Sequence, residues 1–261
     1  MTRILVRALS CVWRYGAPAV AFLLTLVLWE TIVRVTDLPT YVLPTPSLIA
    51  QRLWAERAIL LSNTFYTMVE AVCGFTLGAG LAFLAATAFV HSTLLEQTFY
   101  PWAIVLETVP VIAIAPLLTL WLGFGMGPKV VIAAIVCFFP VLVNTVRGLR
   151  AVDPRALELF RLLSATRWDI FRLLRFPSAL SYLFASLKVS STLSVIGAVV
   201  GEFTGADRGI GYMVVSAGYR MDTPQLFAAI VFSSAAGIAF FYIIALIERL
   251  CLRWPGALAE G

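Results

Sequence analysis

The chain has 261 residues, of which 61% are hydrophobic and 13% are charged, and its mean hydropathy is +0.94. This composition lies outside the range of soluble globular domains and indicates a polytopic membrane protein. The net charge of +5 fits basic residues placed beside anionic lipid, so no nucleic-acid partner is expected.

Six apolar stretches are long enough to cross a bilayer, which takes roughly 20 mostly apolar residues. Hydrocarbon offers no partner for free backbone amides and carbonyls, and the stretches are too long and too unalternating for barrel strands. Each is therefore predicted to be a helix, and the predicted fold class is an all-α polytopic membrane protein. The predicted spans cover residues 17–35, 64–90, 99–122, 130–146, 180–200 and 226–250.

The distribution of lysine and arginine predicts the orientation of these spans. With the N-terminus inside, the inner segments hold about twice as many basic residues as the outer segments. The inner set includes Arg3, Arg7 and Arg14, the outer set includes Lys129, and Lys188 falls in the fifth span. We expect a multi-pass protein of the inner membrane with both termini in the cytoplasm.

A short helix is predicted between the first two spans, because Thr45 is a good N-cap and Pro46 suits the first helical position. Apolar residues at helical spacing place it on the outer membrane surface, with Trp54 at headgroup level. The predicted organisation is an N-terminal anchor helix and external connector over residues 1–60, a transmembrane domain over 61–250 and a cytoplasmic tail over 251–261.

Several kinds of site are not predicted. The glycine-rich loop at 123–129 lacks a phosphate-binding pattern, since Pro128 removes an amide and Val130 replaces the required hydroxyl. His91 is the only histidine, and the four cysteines are far apart. We therefore expect no catalytic residues, no metal site and no cofactor on this chain, and any nucleotide hydrolysis must come from another polypeptide.

The polar segment 147–177 separates the fourth and fifth spans. Asp153 and Pro154 predict the start of one short helix, residues 164–166 form a small polar break, and a second short helix over 167–176 is expected to end before Pro177. Apolar side chains at helical spacing lie between its charges, which favours a protein-docking surface over a basic membrane-surface loop. Its basic residues are Arg147, Arg150, Arg155, Arg161, Arg167, Arg172 and Arg175.

At these residues the chain resembles the permease subunits of type I binding-protein-dependent ABC importers. Their cytoplasmic signature runs Glu-Ala-Ala, three residues, Gly, nine residues, then Ile-x-Leu-Pro. Glu158, Ser164, Leu174 and Pro177 match its spacing, with Ser164 in the place of the glycine. Because serine tolerates a left-handed backbone less well than glycine, we expect a tight turn with ordinary backbone angles there.

The resemblance extends over nearly the whole chain beyond the first helix and points to the nitrate, sulfonate, taurine and pyrimidine- or riboflavin-precursor branch. It implies two ATPase subunits that carry ATP and Mg, a second copy of the permease, and an external solute-binding protein. It also implies a coupling segment at 150–177 that docks on the ATPases. The implied coupling residues are Glu158, Ser164, Ala165, Thr166, Leu174 and Pro177.

Charged residues inside the spans are the candidates for the solute pathway, since such charges are costly and tend to be functional. The alternative is a structural role, in which the acids pair with Lys188 or with small polar side chains. Acids on the path favour a small neutral organic solute over a bare anion such as nitrate. The predicted pathway candidates are Glu70, Glu107, Pro110 and Glu202.

Two other classes of protein compete with this interpretation. An ion-coupled secondary transporter requires inverted repeats with broken helices, and no convincing repeat is present, although Pro110 and Pro116 interrupt the third span. An intramembrane enzyme requires a nucleophile and a base, and His91 stands alone. The sequence therefore favours a transport subunit over an enzyme.

Overall fold

The computed structural model describes the backbone of residues 2–252 and the side chains of residues 16–252. Within these limits every regular element is a helix, which confirms the all-α prediction. Some predictions concern residues whose side chains the structure does not describe, namely Arg3, Arg7, Cys11, Arg14 and most of the tail at 251–261. The elements are α1 (Thr2–Val35), α2 (Pro46–Ala55), α3 (Arg57–His91), α4 (Thr93–Thr108), α5 (Val111–Leu122), α6 (Met126–Arg150), α7 (Pro154–Leu162), α8 (Arg167–Ile170), a π turn (Phe171–Arg175), α9 (Phe176–Glu202), α10 (Ile210–Tyr219) and α11 (Thr223–Cys251).

Five described helical runs are long and apolar enough to cross a membrane, and a bent pair of helices makes a sixth. The bent pair is α4 and α5, which meet at 99° within the region 99–122 that was predicted as one span. Pro110 explains this correction, because it lacks an amide proton and forces the residue before it out of the helical region. Val109 accordingly has an extended backbone, with φ −75° and ψ 124°.

The centre of the bundle consists of α3, α6 and α9, which pack closely through small residues. A Cβ added at Gly78 of α3 would lie 2.9 Å from the Cα of Ala134 in α6. A Cβ added at Gly197 of α9 would lie 2.8 Å from the Cα of Ala133. Small residues allow such close approach between membrane helices, so these three helices form the closely packed centre of the fold.

The helix α1 touches the rest of the described chain mainly at its C-terminal end. Glu30 accepts hydrogen bonds from the amide and the hydroxyl of Ser47, at 3.0 and 2.8 Å, and the ring of Trp29 lies 5.6 Å from that of Phe227. The predicted connector helix is confirmed as α2, whose N-cap Thr45 accepts a hydrogen bond from the amide of Leu48.

The polar segment after α6 forms a hairpin of two short helices, as predicted. Asp153 caps α7 by accepting a hydrogen bond from the amide of Arg155 at 2.9 Å. At the start of α8, Thr166 and Asp169 form a reciprocal capping box, in which each side chain accepts from the backbone amide of the other. We refer to residues 153–170 as the hairpin.

The backbone at Ser164 differs from the prediction. Ser164 has φ +55°, in the left-handed region, where ordinary angles were expected. Its amide donates to the carbonyl of Arg161, and the amide of Ala165 donates to the carbonyl of Phe160. These two bonds define a Schellman motif, which ends a helix through one left-handed residue that is usually glycine. Ser164 therefore adopts the backbone of the glycine it replaces.

The second helix of the hairpin also differs from the prediction, because it does not end before Pro177. It continues through the π turn into α9, so the chain is helical from 167 to 202. Proline clashes with the carbonyl four residues before it. The wider π turn immediately before Phe176 opens the hydrogen-bond ladder at that point, and Pro177 then sits in the first turn of α9.

Candidate functional site

The bundle has two ends, which we name from the hairpin. The hairpin end holds the hairpin, the C-terminus of α6 and the N-terminus of α9. The opposite end, called the far end, holds the C-terminus of α9 and the N-terminus of α10. Polar residues singled out in the sequence lie at both ends.

The hairpin exposes large apolar side chains. Leu162 is 82% exposed, Leu163 71% and Trp168 63%, and Leu159 is exposed beside them. A soluble surface rarely groups so many apolar side chains, and the flanking arginines keep the segment out of hydrocarbon. This arrangement is suited to docking another protein.

The predicted coupling residues all lie on or next to this surface. Glu158, Ser164 and Thr166 are exposed, and Ala165 is half-buried between them. Leu174 lies half-buried in the π turn, and the exposed Pro177 begins α9. The structure thus brings the first four together on the hairpin and places the last two at its junction with the bundle.

Aromatic rings join the hairpin to the bundle. The ring of the buried Phe171 lies 5.6 Å from Trp168, 5.4 Å from His91 and 6.2 Å from Phe176. Phe176 in turn lies 6.0 Å from Phe83 of α3, with the two rings edge to face. The hairpin is therefore attached to the C-terminal part of α3 as well as to the spans that precede and follow it.

An ion pair reinforces the hairpin end. Arg150, the last residue of α6, pairs with Glu96 in the first turn of α4. The Glu96 side chain is mostly buried, whereas that of Arg150 is about half exposed. The pair links the loop between α3 and α4 to the residue from which the hairpin leaves α6.

At the far end, Glu202 connects three helices. This buried residue ends α9, and its carboxylate accepts hydrogen bonds from the hydroxyl of Thr67 in α3 at 2.6 Å and from the amide of Gly211 in α10 at 2.5 Å. Thr67 also accepts from the amide of Ile210 at 2.9 Å, and Asn63 accepts from the amide of Gly209 at 2.7 Å. The first amides of α10, which lack partners within the helix, are thus bound by side chains of α3 and α9.

A buried ion pair lies next to this capping arrangement. Glu70 of α3 lies 3.3 Å from the ammonium group of Lys129 in α6, and both side chains are less than a tenth exposed. The second oxygen of Glu70 has no hydrogen-bond donor among the described residues. We call Asn63, Thr67, Glu70, Lys129 and Glu202 the far-end cluster.

This pairing corrects two sequence-based expectations. Lys129 was assigned to an outer loop, but α6 begins at Met126, so Lys129 lies in the first turn of the helix and is buried. Lys188, the expected partner for the acids in the spans, instead pairs with Glu248 of α11 at 2.7 Å. The fourth span was predicted to begin at residue 130, four residues after the true start of α6, so Lys129 was not recognised as the partner of Glu70.

The other pathway candidates lie apart from the far-end cluster. Glu107 is exposed near the end of α4, and within the described residues it makes no hydrogen bond or ion pair. Pro110 lies at the bend between α4 and α5. The structure therefore brings together Glu70 and Glu202 but not Glu107.

Sequence reasoning missed Asn63, Thr67 and Lys129. A signal for two of them was present, because Asn63, Thr67 and Glu70 are spaced at i, i+4 and i+7 and so lie on one face of α3. Across residues 16–252, no group of three or more His, Cys, Asp or Glu side chains could hold a metal ion.

These features define a class of protein: a multi-span helical membrane protein with a short polar hairpin, apolar at its surface, between two spans. Residues 74–251 match the family described as binding-protein-dependent transport system inner membrane component. The match covers more than half of the chain, and the chain belongs to this family. It is a permease subunit of an ABC importer, as the resemblance implied, and a transport subunit rather than an enzyme.

Curated relatives support the same assignment. The chain is 34% identical to the riboflavin transport system permease protein RibX of Chloroflexus aurantiacus over 244 residues, which cover 93% of this chain and 91% of that one. It is 33% identical to the formylaminopyrimidine transport permease protein ThiX of Halalkalibacterium halodurans over 238 residues, which cover 91% and 95%. Both relatives belong to the branch that the resemblance named, and both support an ABC permease over the ion-coupled alternative.

The fold is also that of a solved importer. The permease of the MetNI methionine ABC transporter, in an inward-facing conformation, superposes with a TM-score of 0.67 and 16% identity, over 76% of this chain and 99% of that one. At this level of identity the similarity concerns the fold alone. Permeases of this family work with an ATPase and a solute-binding protein, so both kinds of partner are expected for this chain.

Proposed function

We propose that this chain forms one half of a homodimeric inner-membrane permease that imports a small organic solute, and that its hairpin docks on an ATPase subunit. In this proposal two ATPase subunits carry the ATP and Mg, and an external binding protein delivers the solute. Residues 61–250 are the transmembrane domain, residues 1–60 the anchor and external connector, and 251–261 a cytoplasmic tail.

The exposed apolar surface of the hairpin is the observation that carries the docking proposal. Leu162, Leu163 and Trp168 project between basic residues, so an apolar groove with an acidic rim would bind them well. Glu158, Ser164, Ala165 and Thr166 belong to this docking surface, and Leu174 and Pro177 fix its junction with α9. An anionic lipid surface would satisfy the arginines, but it offers no shaped groove for the leucines.

The docking proposal also sets the orientation. The ATPase lies in the cytoplasm, so the hairpin end faces the cytoplasm and the far end faces outward. Since α1 is the first crossing and ends at the far end, where α2 and α3 begin, and since α11 ends near the hairpin end, both termini lie inside. The excess of basic residues on that side supports this orientation.

A small organic solute is supported by the relatives and by the acids in the spans. RibX and ThiX are named for riboflavin and formylaminopyrimidine, both nitrogen heterocycles. Glu107 and Glu202 disfavour a bare anion beside them, because neither pairs with a cationic side chain among the described residues, whereas Glu70 is paired with Lys129. Glu107 and Pro110 are the proposed pathway residues at the bend, and Glu70 and Glu202 border the path at the far end.

Replacing two exposed leucines tests the docking proposal directly. In the Leu162→Ser, Leu163→Ser double variant, co-purification of the ATPase with the permease is expected to fall sharply. Tyr219→Ser is the matched control, because Tyr219 is 87% exposed at the opposite end of the bundle. Co-purification of the double variant at the wild-type level would overturn the docking surface.

The substrate is tested separately on the cognate binding protein. Its melting temperature is measured with riboflavin, pyrimidines, taurine, an alkyl sulfonate and nitrate. We expect the melting temperature to rise with riboflavin or a pyrimidine and not with taurine, the sulfonate or nitrate. A rise with nitrate alone would contradict the proposed substrate class but leave the docking surface intact.

A further inference from the structure

We propose that Phe171 is a positioning residue for coupling, because it lies at the centre of an aromatic joint through which the hairpin moves α3. The aromatic joint consists of Phe83, His91, Trp168, Phe171 and Phe176. This inference rests on the proposed function, since it takes the hairpin as the ATPase docking site. It adds the route by which a displacement of the hairpin reaches the helix bundle.

The joint has one exposed end and one buried end. Trp168, 63% exposed, belongs to the docking surface, and its ring lies nearly parallel to that of Phe171, at 25° and 5.6 Å. Phe171 is buried and contacts His91, the last residue of α3, at 5.4 Å. Phe176 continues the row to Phe83 of α3 at 6.0 Å. A continuous set of rings therefore runs from the docking surface to α3.

The joint crosses an irregularity in the helix that connects the hairpin to the bundle. The π turn Phe171–Arg175 separates α8 from α9, and such single-turn insertions interrupt the regular α-helical hydrogen-bond pattern. Trp168 precedes the turn, Phe171 begins it and Phe176 follows it, so the rings bridge it. Because the contacts between the rings hold the angle between α8 and α9, a movement of α8 is transmitted to the bundle and is not lost by bending at the π turn.

The helix α3 is placed to carry this movement across the molecule. It is 35 residues long, and a helix of that length extends about 50 Å. His91 and Phe83 attach it to the joint at the hairpin end, and Asn63, Thr67 and Glu70 attach it to α10, α9 and α6 at the far end. One stiff element therefore connects the docking surface to the far-end cluster.

The competing explanation is that these rings are ordinary core packing. Ordinary packing predicts that ring removal lowers stability and expression, with transport falling in proportion to the amount of folded protein. The joint predicts a different result: a folded transporter that still binds its ATPase and hydrolyses ATP, but moves less solute for each ATP.

The test uses the complete transporter, reconstituted with its ATPase and binding protein. Phe171→Leu removes the buried ring but keeps an apolar side chain, and Trp168→Ala removes the exposed ring with little risk to folding. Phe171→Tyr and Trp168→Phe are the conservative rescue variants. Leu173→Ala is the matched control, because Leu173 lies in the same π turn, is 61% exposed and is not part of the joint.

We expect Phe171→Leu to keep ATPase co-purification while solute moved per ATP falls about fivefold or more. Trp168→Ala should lower solute moved per ATP to a similar extent and should also weaken co-purification, because Trp168 belongs to the docking surface as well as to the joint. The rescue variants and Leu173→Ala should remain within about twofold of wild type. Amide hydrogen exchange of residues 60–70 should change on ATP addition in the wild type and not in Phe171→Leu.

Unchanged transport per ATP in both ring variants would overturn the joint even if the leucine variants confirm docking. If Trp168→Ala lowers ATPase co-purification but leaves transport per ATP unchanged, Trp168 belongs to docking alone and not to the joint. If wild-type exchange at residues 60–70 does not respond to ATP, α3 is not the transmitting helix. Failure of the docking surface would instead be detected with Leu162→Ser, Leu163→Ser, so the two failures are distinguishable.

Discussion

The carboxylate of Glu202, the last residue of α9, accepts a 2.5 Å hydrogen bond from the backbone amide of Gly211, the second residue of α10. The same carboxylate accepts from Thr67 of α3 at 2.6 Å. A single buried side chain thus fixes the relative positions of three helices, and the helix dipole of α10 favours its negative charge.

Removal of the Glu202 carboxylate is expected to destabilise the far end. Glu202→Ala leaves the buried amide of Gly211 without a partner, at a cost of about 1–3 kcal/mol. The hydroxyl of Thr67 loses its 2.6 Å bond to the carboxylate and keeps only the carbonyl of Asn63 as acceptor, at 3.2 Å. Glu202→Gln keeps one acceptor oxygen and should lose less. Thermal unfolding in detergent measures both, with Glu107→Gln as a control on an exposed acid. Equal melting temperatures for Glu202→Ala and wild type would show that the carboxylate is not holding these helices.

Two glycines of α10 provide a matched test of the same contact. A Cβ at Gly211 would clash with the carbonyl oxygen of Val199 in α9 and lie 2.7 Å from the Cβ of Glu202, whereas a Cβ at Gly218 would meet only Leu226, at 3.9 Å. Gly211→Ala should therefore lower the melting temperature. Gly218→Ala should be neutral or raise stability, since alanine favours a helix interior by about 1 kcal/mol over glycine. Thermal unfolding in detergent measures both variants. A melting temperature of Gly211→Ala equal to that of wild type would contradict the close packing of α10 against the end of α9.

The ion pair of Glu70 and Lys129 is expected to be sensitive to the loss of one partner. Lys129→Met leaves a buried carboxylate unpaired, and breaking a buried pair in this way costs about 3–5 kcal/mol. The double variant Lys129→Met, Glu70→Gln removes both charges and should recover much of that loss. The melting temperature and the purified yield in detergent are compared between the single variant, the double variant and the wild type.

The second pair of charges in the bundle serves as the control for this cycle. Lys188 and Glu248 are about a quarter and a fifth exposed, so the bundle encloses this pair less fully than Glu70 and Lys129 and leaves an unpaired charge more room to move to the surface. Lys188→Met should therefore cost less than Lys129→Met. The opposite order, or no recovery in the double variant, would refute a buried charge pair at Lys129.

Much of this fold was predictable from the sequence, because hydrocarbon restricts each apolar run to a helix. The positions of the hairpin helices were also predictable, since Asp153 and Thr166 cap helices through local hydrogen bonds and Pro154 suits the first helical position. The apolar pattern alone did not predict the angle between α4 and α5. At Pro110 the apolar pattern continues through a break of 99°, because composition does not report the backbone angle.

The far-end cluster was only half predictable. The spacing of Asn63, Thr67 and Glu70 on one face of α3 was readable from the sequence, but their partners lie more than 50 residues away along the chain, at Lys129 and at Glu202 with the start of α10. Such contacts depend on how α3, α6 and α9 pack. The burial of Lys129 follows from the close approach of Gly201, whose added Cβ would lie 2.9 Å from the Cα of Lys129.

The left-handed backbone of Ser164 leads to the last prediction. Spacing to Glu158 and Pro177 identified the turn, but not its φ of +55°, which the Schellman bonds to Arg161 and Phe160 impose. A left-handed residue with a Cβ costs about 1–2 kcal/mol. Ser164→Gly removes that cost, partly offset by the about 0.5–1 kcal/mol of extra chain entropy that glycine loses on folding. Ser164→Gly should therefore slow amide exchange at residues 164 and 165 and leave ATPase co-purification at least equal to wild type. Ser164→Val places a β-branched residue at positive φ. It should therefore speed amide exchange at residues 164 and 165 and lower ATPase co-purification. If valine is tolerated as well as glycine, the turn does not need its left-handed residue to present the hairpin.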